Sequence, residues 1–271
     1  FSDKAGAHPD SGDPTLDWTR YFRGAITESA GQLRTAENWI RRHPDRVFLD
    51  VRCTQPLPVS LPPAGRMNIH RICVAPAATE AARARAGLDG LAIDPSVVGD
   101  QRVYTVGQVP GCQGWVHVFD EDTMQAVMPA LSTTPDFIAY LRAKEALIAT
   151  GRLGFAASEK DLLAVYLLNE RSFPERPRPL AAPAGTWAAL AVHPQFRAAQ
   201  ALNRRRRPCT GAGHKGSLFL KSHLLYDLYN VLHDLLTFIN RWTNCKRERF
   251  PPRAHHFDAT GLSGVIIALA G

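Results

Sequence analysis

Residues 17–42 carry the pattern that most restricts the fold of this chain. Apolar side chains recur there every three or four residues, which is typical of one face of an amphipathic helix. They are Trp18, Tyr21, Phe22, Ala25, Ile26, Leu33, Ala36 and Ile40. Asp17 suits an N-cap, and His43 and Pro44 end the pattern. Because a helix of this length is unusual in a globular protein, we expect it to lie across a sheet or between two layers.

Strand-like and helix-like segments alternate over the first 170 residues. Period-two or β-branched runs predict strands at 47–51, 68–75, 91–93, 103–106 and 115–119. Helical spacing predicts helices at 79–87, 122–131, 134–150 and 158–171, with Thr134 and Ser158 as N-caps. This order indicates an α/β (or α+β) fold, in which a mixed sheet is flanked by the long N-terminal helix and the C-terminal half is helical.

Composition shifts along the chain predict its organisation. An α/β core over 1–125 is followed by a helical subdomain over 126–172. Residues 173–200 are predicted to form a Pro-rich linker and a short helix, and residues 201–271 a basic, partly helical tail with a strand-like VIIALA near its end. The chain opens on an apolar residue without a start Met or a signal peptide, so we expect it to be N-terminally truncated.

The composition favours a globular, cytoplasmic protein. Apolar residues make up 45% of the chain and charged residues 21%. No stretch of 18 uncharged apolar residues occurs, so we expect no membrane partner. The five cysteines are scattered and include no C-x-x-C pair, which predicts reduced thiols rather than a disulfide framework or a zinc site.

The basic excess of the chain lies in its tail. Residues 201–271 contain 11 of the 32 Lys and Arg residues but only four of the 25 acidic residues. Clustered cations can neutralise DNA phosphates. The candidate nucleic-acid-binding residues are Arg204, Arg205, Arg206, Arg207 and Lys215. The alternative is a poorly specified tail with no binding role.

The FSDK entry contains the first candidate catalytic residues. Metal-assisted phosphodiester hydrolysis needs carboxylates that hold Mg²⁺ and a lysine that positions or deprotonates the attacking water and offsets charge on the phosphorane. On a strand, an acid-x-Lys pattern places the acid and the ammonium on the same face. Asp3 is instead adjacent to Lys4, and Ser2 occupies the position two residues before it. The alternative is a solvated Asp–Lys pair at the end of a strand.

A family resemblance rests on this entry and on several later segments. FSDK is followed by a loop and by a helix with Gln32 and Trp39-Ile40, and later come WVHVFDEDT, TPDFIAYLRAKEALI and SEKDLLAVYLL. Over residues 1–170 this order resembles bacterial proteins of the restriction-endonuclease-like kind, including the nuclease-related-domain group.

The resemblance implies an Mg²⁺-dependent DNA nuclease. In such proteins a first acid precedes the acid-x-Lys strand, and a Gln on the next helix supports the site. Lys4 and Gln32 match the lysine and the glutamine, Asp3 would serve as metal ligand, and the upstream acid would lie before Phe1. This protein is then either an active nuclease, in which Asp3 substitutes for the acid expected at Ser2, or an inactive or truncated form of one. The alternative function is a non-catalytic interaction protein that uses the same fold as a binding platform and docks a protein partner through its helical part.

His117 and the acids that follow it form the second candidate site. A histidine near Asp120, Glu121 and Asp122 can bind a divalent cation. The alternative is that these acids favour the positive end of the next helix and that His117 is a hydrogen-bonded core residue. The chain contains no P-loop, G-x-G-x-x-G, G-x-S-x-G or H-E-x-x-H motif. The usual sequence signatures of nucleotide hydrolysis, dinucleotide redox chemistry, serine hydrolysis and zincin chemistry are therefore missing.

Overall fold

The computed structural model describes residues 8–49, 53–131, 133–194, 196–197 and 264–269. They belong to two units. The first unit draws on residues 1–77, 108–118 and 231–271, and the second on residues 78–107 and 119–230. Helices and strands occur in both units, which confirms the α/β class predicted from the sequence.

The long N-terminal helix is present and has three parts. An α-helix, α1 (Pro14–Tyr21), leads into a π-helical segment (Phe22–Thr27), which continues as α2 (Glu28–Arg42). The predicted apolar stripe lies inside the first unit. Its fully buried members are Trp18, Tyr21, Phe22, Ile26 and Leu33. Burial of this stripe, rather than helix propensity alone, stabilises the helix.

The start of this helix was predicted at the wrong aspartate. Asp13 is the N-cap, and its carboxylate accepts hydrogen bonds from the backbone N–H groups of Thr15 (2.9 Å) and Leu16 (3.2 Å). Pro14 occupies the first helical position, where its missing N–H has no cost. Asp17 is buried within the first turn and accepts hydrogen bonds from the backbone N–H and the hydroxyl of Ser11.

A three-stranded sheet belongs to the first unit. Strand β1 (Asn68–Ala75) matches the predicted segment and lies between β4 (Val116–Asp120) and β7 (Gly264–Leu269). The β1–β7 pair is antiparallel, with Asn68 opposite Leu269 and Cys73 opposite Gly264. The long helix lies against β1 and β7. The strand predicted at 47–51 is not confirmed, because its described part contributes only an isolated bridge between Phe48 and Pro56.

A four-stranded mixed sheet belongs to the second unit. Its order is β3 (Thr105–Gln108), β2 (Ala92–Val98), β5 (Leu153–Ala156) and β6 (Leu180–Ala182). Strands β2 and β5 are antiparallel, and β5 and β6 are parallel. The mixed sheet was therefore predicted correctly, but β6 lies inside the segment that was predicted to be a linker.

The helices of the second unit follow the predicted pattern. They are α3 (Ala78–Ala86), α4 (Glu121–Ala130), α5 (Thr134–Ala149), α6 (Glu159–Leu168) and α7 (Thr186–Val192). Ser158 caps α6 as predicted, since its hydroxyl accepts from the Asp161 N–H at 3.1 Å. The N-cap of α5 is Thr133 rather than Thr134, because the Thr133 hydroxyl accepts from the Asp136 N–H.

Candidate functional site

Gln32 is the one predicted catalytic residue that lies within the described residues. It sits in the first half of α2, and its side-chain oxygen Oε1 is buried without a hydrogen-bond partner among the described residues. A buried amide oxygen left in this state costs about 1–3 kcal/mol. A water, a donor from outside the described residues or a ligand would satisfy this oxygen. Asp3, Lys4 and Ser2 lie outside the described residues.

A buried carboxylate anchors the second half of α2. Glu37 accepts hydrogen bonds from Nε of Arg41, one turn later, at 2.9 Å and from Nε of Arg71 on β1 at 2.7 Å. The Glu37 side chain is only 9% exposed, so its charge is compensated by two arginines rather than by water. This network fixes the helix on the sheet and thereby fixes the position of Gln32 relative to β1.

Two arginines also hold the loop that precedes β4. Nη1 of Arg71 donates to the backbone oxygen of Gln113 at 2.5 Å, and Nη1 of Arg34 donates to that of Gly111 at 2.7 Å. Gly111 has a φ of +75°, which favours glycine. Arg34 of α2 and Arg71 of β1 are thus engaged in holding the backbone of this loop. Sequence reasoning did not find these roles, because the partners are 34–77 residues apart in the chain.

Cys73 on β1 packs against the π-helical segment. Its thiol donates to the backbone oxygen of Ala25 at 3.3 Å. Burial raises the pKa of the Cys73 thiol to about 12, and a hydrogen bond with Ser29 only partly offsets this effect. The thiolate is the nucleophilic form of cysteine, and a thiol with this pKa stays protonated at neutral pH. Cys73 is therefore a structural residue.

The acids that follow His117 serve the folding of the second unit. Asp120 caps α4 by accepting from the Thr123 N–H at 2.8 Å, and it also accepts from the Leu91 N–H at 3.0 Å. Asp122 pairs with Arg83 at 3.0 Å and with Lys160 at 3.1 Å. Partial burial raises the pKa of Asp122, but hydrogen bonds and charges from Lys160 and Arg83 outweigh that effect and lower it. The capping interpretation of these acids is confirmed.

His117 itself has a neighbour that the sequence did not reveal. It lies on β4, is fully buried, and its ring centroid is 6.3 Å from that of His70 on the adjacent strand β1. His70 is 3% exposed. The two histidines are 47 positions apart in the sequence, and only the pairing of their strands brings the rings together.

A second buried ionic group lies in the second unit. Glu159, in the first turn of α6, accepts a hydrogen bond from the Tyr140 hydroxyl at 2.7 Å and pairs with the Lys144 ammonium. Both charged side chains are at most 2% exposed. Burial first, and the Glu159 charge second, raise the pKa of Tyr140 well above its ordinary value. These contacts join α5 to α6, and Tyr140, Lys144 and Glu159 are all buried.

The predicted DNA-binding residues Arg204, Arg205, Arg206, Arg207 and Lys215 lie outside the described residues. None of the helices in the described part of the chain is long and apolar enough to cross a membrane. Comparison with known proteins gave no relative: no family model, no curated protein and no solved structure matches this chain.

Proposed function

We propose that the protein is a restriction-endonuclease-like, Mg²⁺-dependent DNA phosphodiesterase whose centre consists of Asp3, Lys4 and Gln32. The observation that carries this proposal is the buried Oε1 atom of Gln32, which has no hydrogen-bond partner among the described residues. Mg²⁺ is usually held by one or two carboxylates, such as that of Asp3, and keeps several waters, from one of which the Gln32 amide oxygen can accept a hydrogen bond. The residue types of the candidate centre therefore fit this ion.

The chemistry divides between the ion and the side chains of this chain. Asp3 would hold the Mg²⁺ ion, which when bound would supply polarisation of a phosphoryl oxygen and neutralisation of charge that develops during the displacement. Asp3 supplies the anionic ligand. Lys4 positions the attacking water and offsets negative charge on the phosphate. Gln32 is a supporting residue, and α2 holds it in a fixed position because Glu37 ties the same helix to Arg71 on β1.

A reducing, cytoplasmic location is consistent with this function. The described cysteines Cys53, Cys73 and Cys112 are all free thiols. Free thiols persist in reducing compartments, where DNA is also accessible in a bacterial cell.

Replacing Gln32 by Ala tests the supporting role. We expect Mg²⁺-dependent nicking of a supercoiled plasmid to fall about 10–100-fold, as is usual when a residue that orients a metal ligand is lost. The folded state should not lose stability, because Ala favours helices and the buried oxygen without a partner is removed. Asn38→Ala, at an exposed position of the same helix, is the matched control. Equal nicking rates in the two variants would exclude Gln32 from the site.

The basic tail is proposed to bind the DNA backbone, and this proposal has its own test. We expect the affinity for DNA to depend less on salt when Arg204–Arg207 are replaced by Ala. The slope of the logarithm of the DNA-binding constant against the logarithm of the salt concentration should become shallower by up to about 3.6, because each lost phosphate contact contributes about 0.9. Substitution is preferable to deletion of the tail, because residues 264–269 form β7 and pair with β1. The double variant Arg46→Ala/Arg66→Ala, at exposed positions, should keep the slope. An unchanged slope in the fourfold variant would refute the proposal.

A binding platform without catalysis is the second candidate function. Two large apolar side chains in the helical part of the second unit are exposed, Leu168 by 58% and Val192 by 70%. A protein partner that docks through this part of the chain would bury these two side chains. The two functions differ in one outcome, since only the phosphodiesterase loses an activity when Lys4 is replaced.

A further inference from the structure

The histidine pair of the first unit has a geometry that the proposed function does not use. His70 and His117 extend from the neighbouring strands β1 and β4. Their ring planes are inclined by 58°, and each offers a ring nitrogen within 4.8 Å of the other. Two imidazoles at this separation point to a shared binding partner.

We propose that His70 and His117 are ligands of a transition-metal ion, with Zn²⁺ as the expected occupant. Zn–N bonds of 2.0–2.1 Å place two nitrogens of a tetrahedral site about 3.3 Å apart. The ring nitrogens of the pair lie within 4.8 Å of each other, so both rings can bind one ion only if these nitrogens approach to about 3.3 Å. Water or further protein donors complete the coordination.

The ligand type separates this ion from the Mg²⁺ of the proposed function. Imidazole nitrogen suits zinc, copper and nickel, whereas Mg²⁺ demands oxygen ligands in near-ideal octahedral geometry. The pair shares no residue with the Asp3, Lys4 and Gln32 centre. The inference therefore does not rest on the proposed function.

The surroundings suit a structural ion that joins two strands. His70 is 3% exposed and His117 is fully buried. Burial of both ligands limits the exchange of a bound ion with solvent. Because the ion binds the folded chain and not the unfolded chain, its binding stabilises the folded state.

Cobalt and zinc titrations of the full chain test the proposal. After treatment with EDTA and removal of the chelator, we expect one equivalent of Co²⁺ to produce the visible absorption of a four- or five-coordinate site. No thiolate-to-cobalt charge-transfer absorption should appear. One equivalent of Zn²⁺ should displace the cobalt and raise the melting temperature, whereas Mg²⁺ in large excess should not displace it. Absence of stoichiometric binding by both Co²⁺ and Zn²⁺ would overturn the proposal without reference to any variant.

Single variants assign the ligands. His70→Gln and His117→Gln should each weaken Co²⁺ binding by more than the 10–100-fold that loss of an outer-shell partner causes. His193→Gln, at an exposed position, is the matched control and should bind as the parent does. Circular dichroism identifies any variant that fails to fold. For such a variant, NMR spectra of the folded parent replace the test, because the imidazole proton signals of a metal-binding histidine shift when Co²⁺ binds. Binding that is retained in folded His70→Gln and His117→Gln would refute the assignment.

Asp3→Asn distinguishes this site from the proposed catalytic centre. The variant should lose Mg²⁺-dependent cleavage and keep cobalt binding unchanged. Loss of cobalt binding in Asp3→Asn would refute a site that is independent of the proposed catalytic centre.

Discussion

Replacing Glu159 by Ala is expected to destabilise the folded protein by about 3–5 kcal/mol, the usual cost of breaking a buried ion pair from one side. The Lys144 ammonium would lose its carboxylate in an environment where only 1% of its side chain is exposed. The Tyr140 hydroxyl would lose its acceptor at the same time. Domains are stable by only about 5–15 kcal/mol, so this single change would remove a large share of the stability.

Urea unfolding at neutral pH measures the effect as a shift of the midpoint at unchanged slope. Glu80→Ala, at an exposed position of α3, is the matched control and should stay within about 0.5 kcal/mol of the parent. The double variant Lys144→Met/Glu159→Leu should be more stable than Glu159→Ala, because no buried charge loses its partner. A Glu159→Ala midpoint equal to that of Glu80→Ala would show that the buried pair does not stabilise the fold.

Local sequence patterns were sufficient for many of the elements. Strand β1 alternates and is β-branched, and α6 begins at the Ser158–Asp161 pair, so each segment carries its own signal. These features depend on residues only a few positions apart. The same holds for Asp120, Glu121 and Asp122 at the end of β4, whose proximity to a helix start predicted their capping role.

Two errors at the level of elements have physical causes. Asp13 and Asp17 are both acids near the start of the long helix, and the choice between them depends on the fold of the preceding loop. The Pro-rich segment was predicted to be a linker because proline disfavours central strands. Its Leu180–Ala182 portion nevertheless pairs with β5, as an edge strand that tolerates neighbouring prolines.

The candidate sites were less predictable than the elements. Glu37 with Arg71, Tyr140 with Glu159, and His70 with His117 each join residues that are 19–47 positions apart. Such contacts follow from strand pairing and helix packing, and no local spacing encodes them. His117 was identified as a candidate ligand on its own, but the structure supplies a second imidazole in place of the acids that follow it.

Lys4→Ala is expected to have the largest effect on activity. If Lys4 positions the attacking water and offsets charge on the phosphate, its loss should slow cleavage about 10²–10³-fold, the range for loss of one group that stabilises developing charge. Binding of DNA should weaken far less, because many cations share that role. The effect should therefore appear in the rate at saturating DNA rather than in affinity.

The central claim is tested most directly by the rate at which the full chain nicks supercoiled plasmid in Mg²⁺, measured at saturating DNA for the parent and for Lys4→Ala. Arg20→Ala, which removes an exposed positive charge from α1, is the matched control. We predict cleavage by the parent and by Arg20→Ala, abolished by EDTA, and a rate for Lys4→Ala that is lower by about 10²-fold or more. No Mg²⁺-dependent cleavage by the parent, or an equal rate in Lys4→Ala, would contradict the proposed phosphodiesterase.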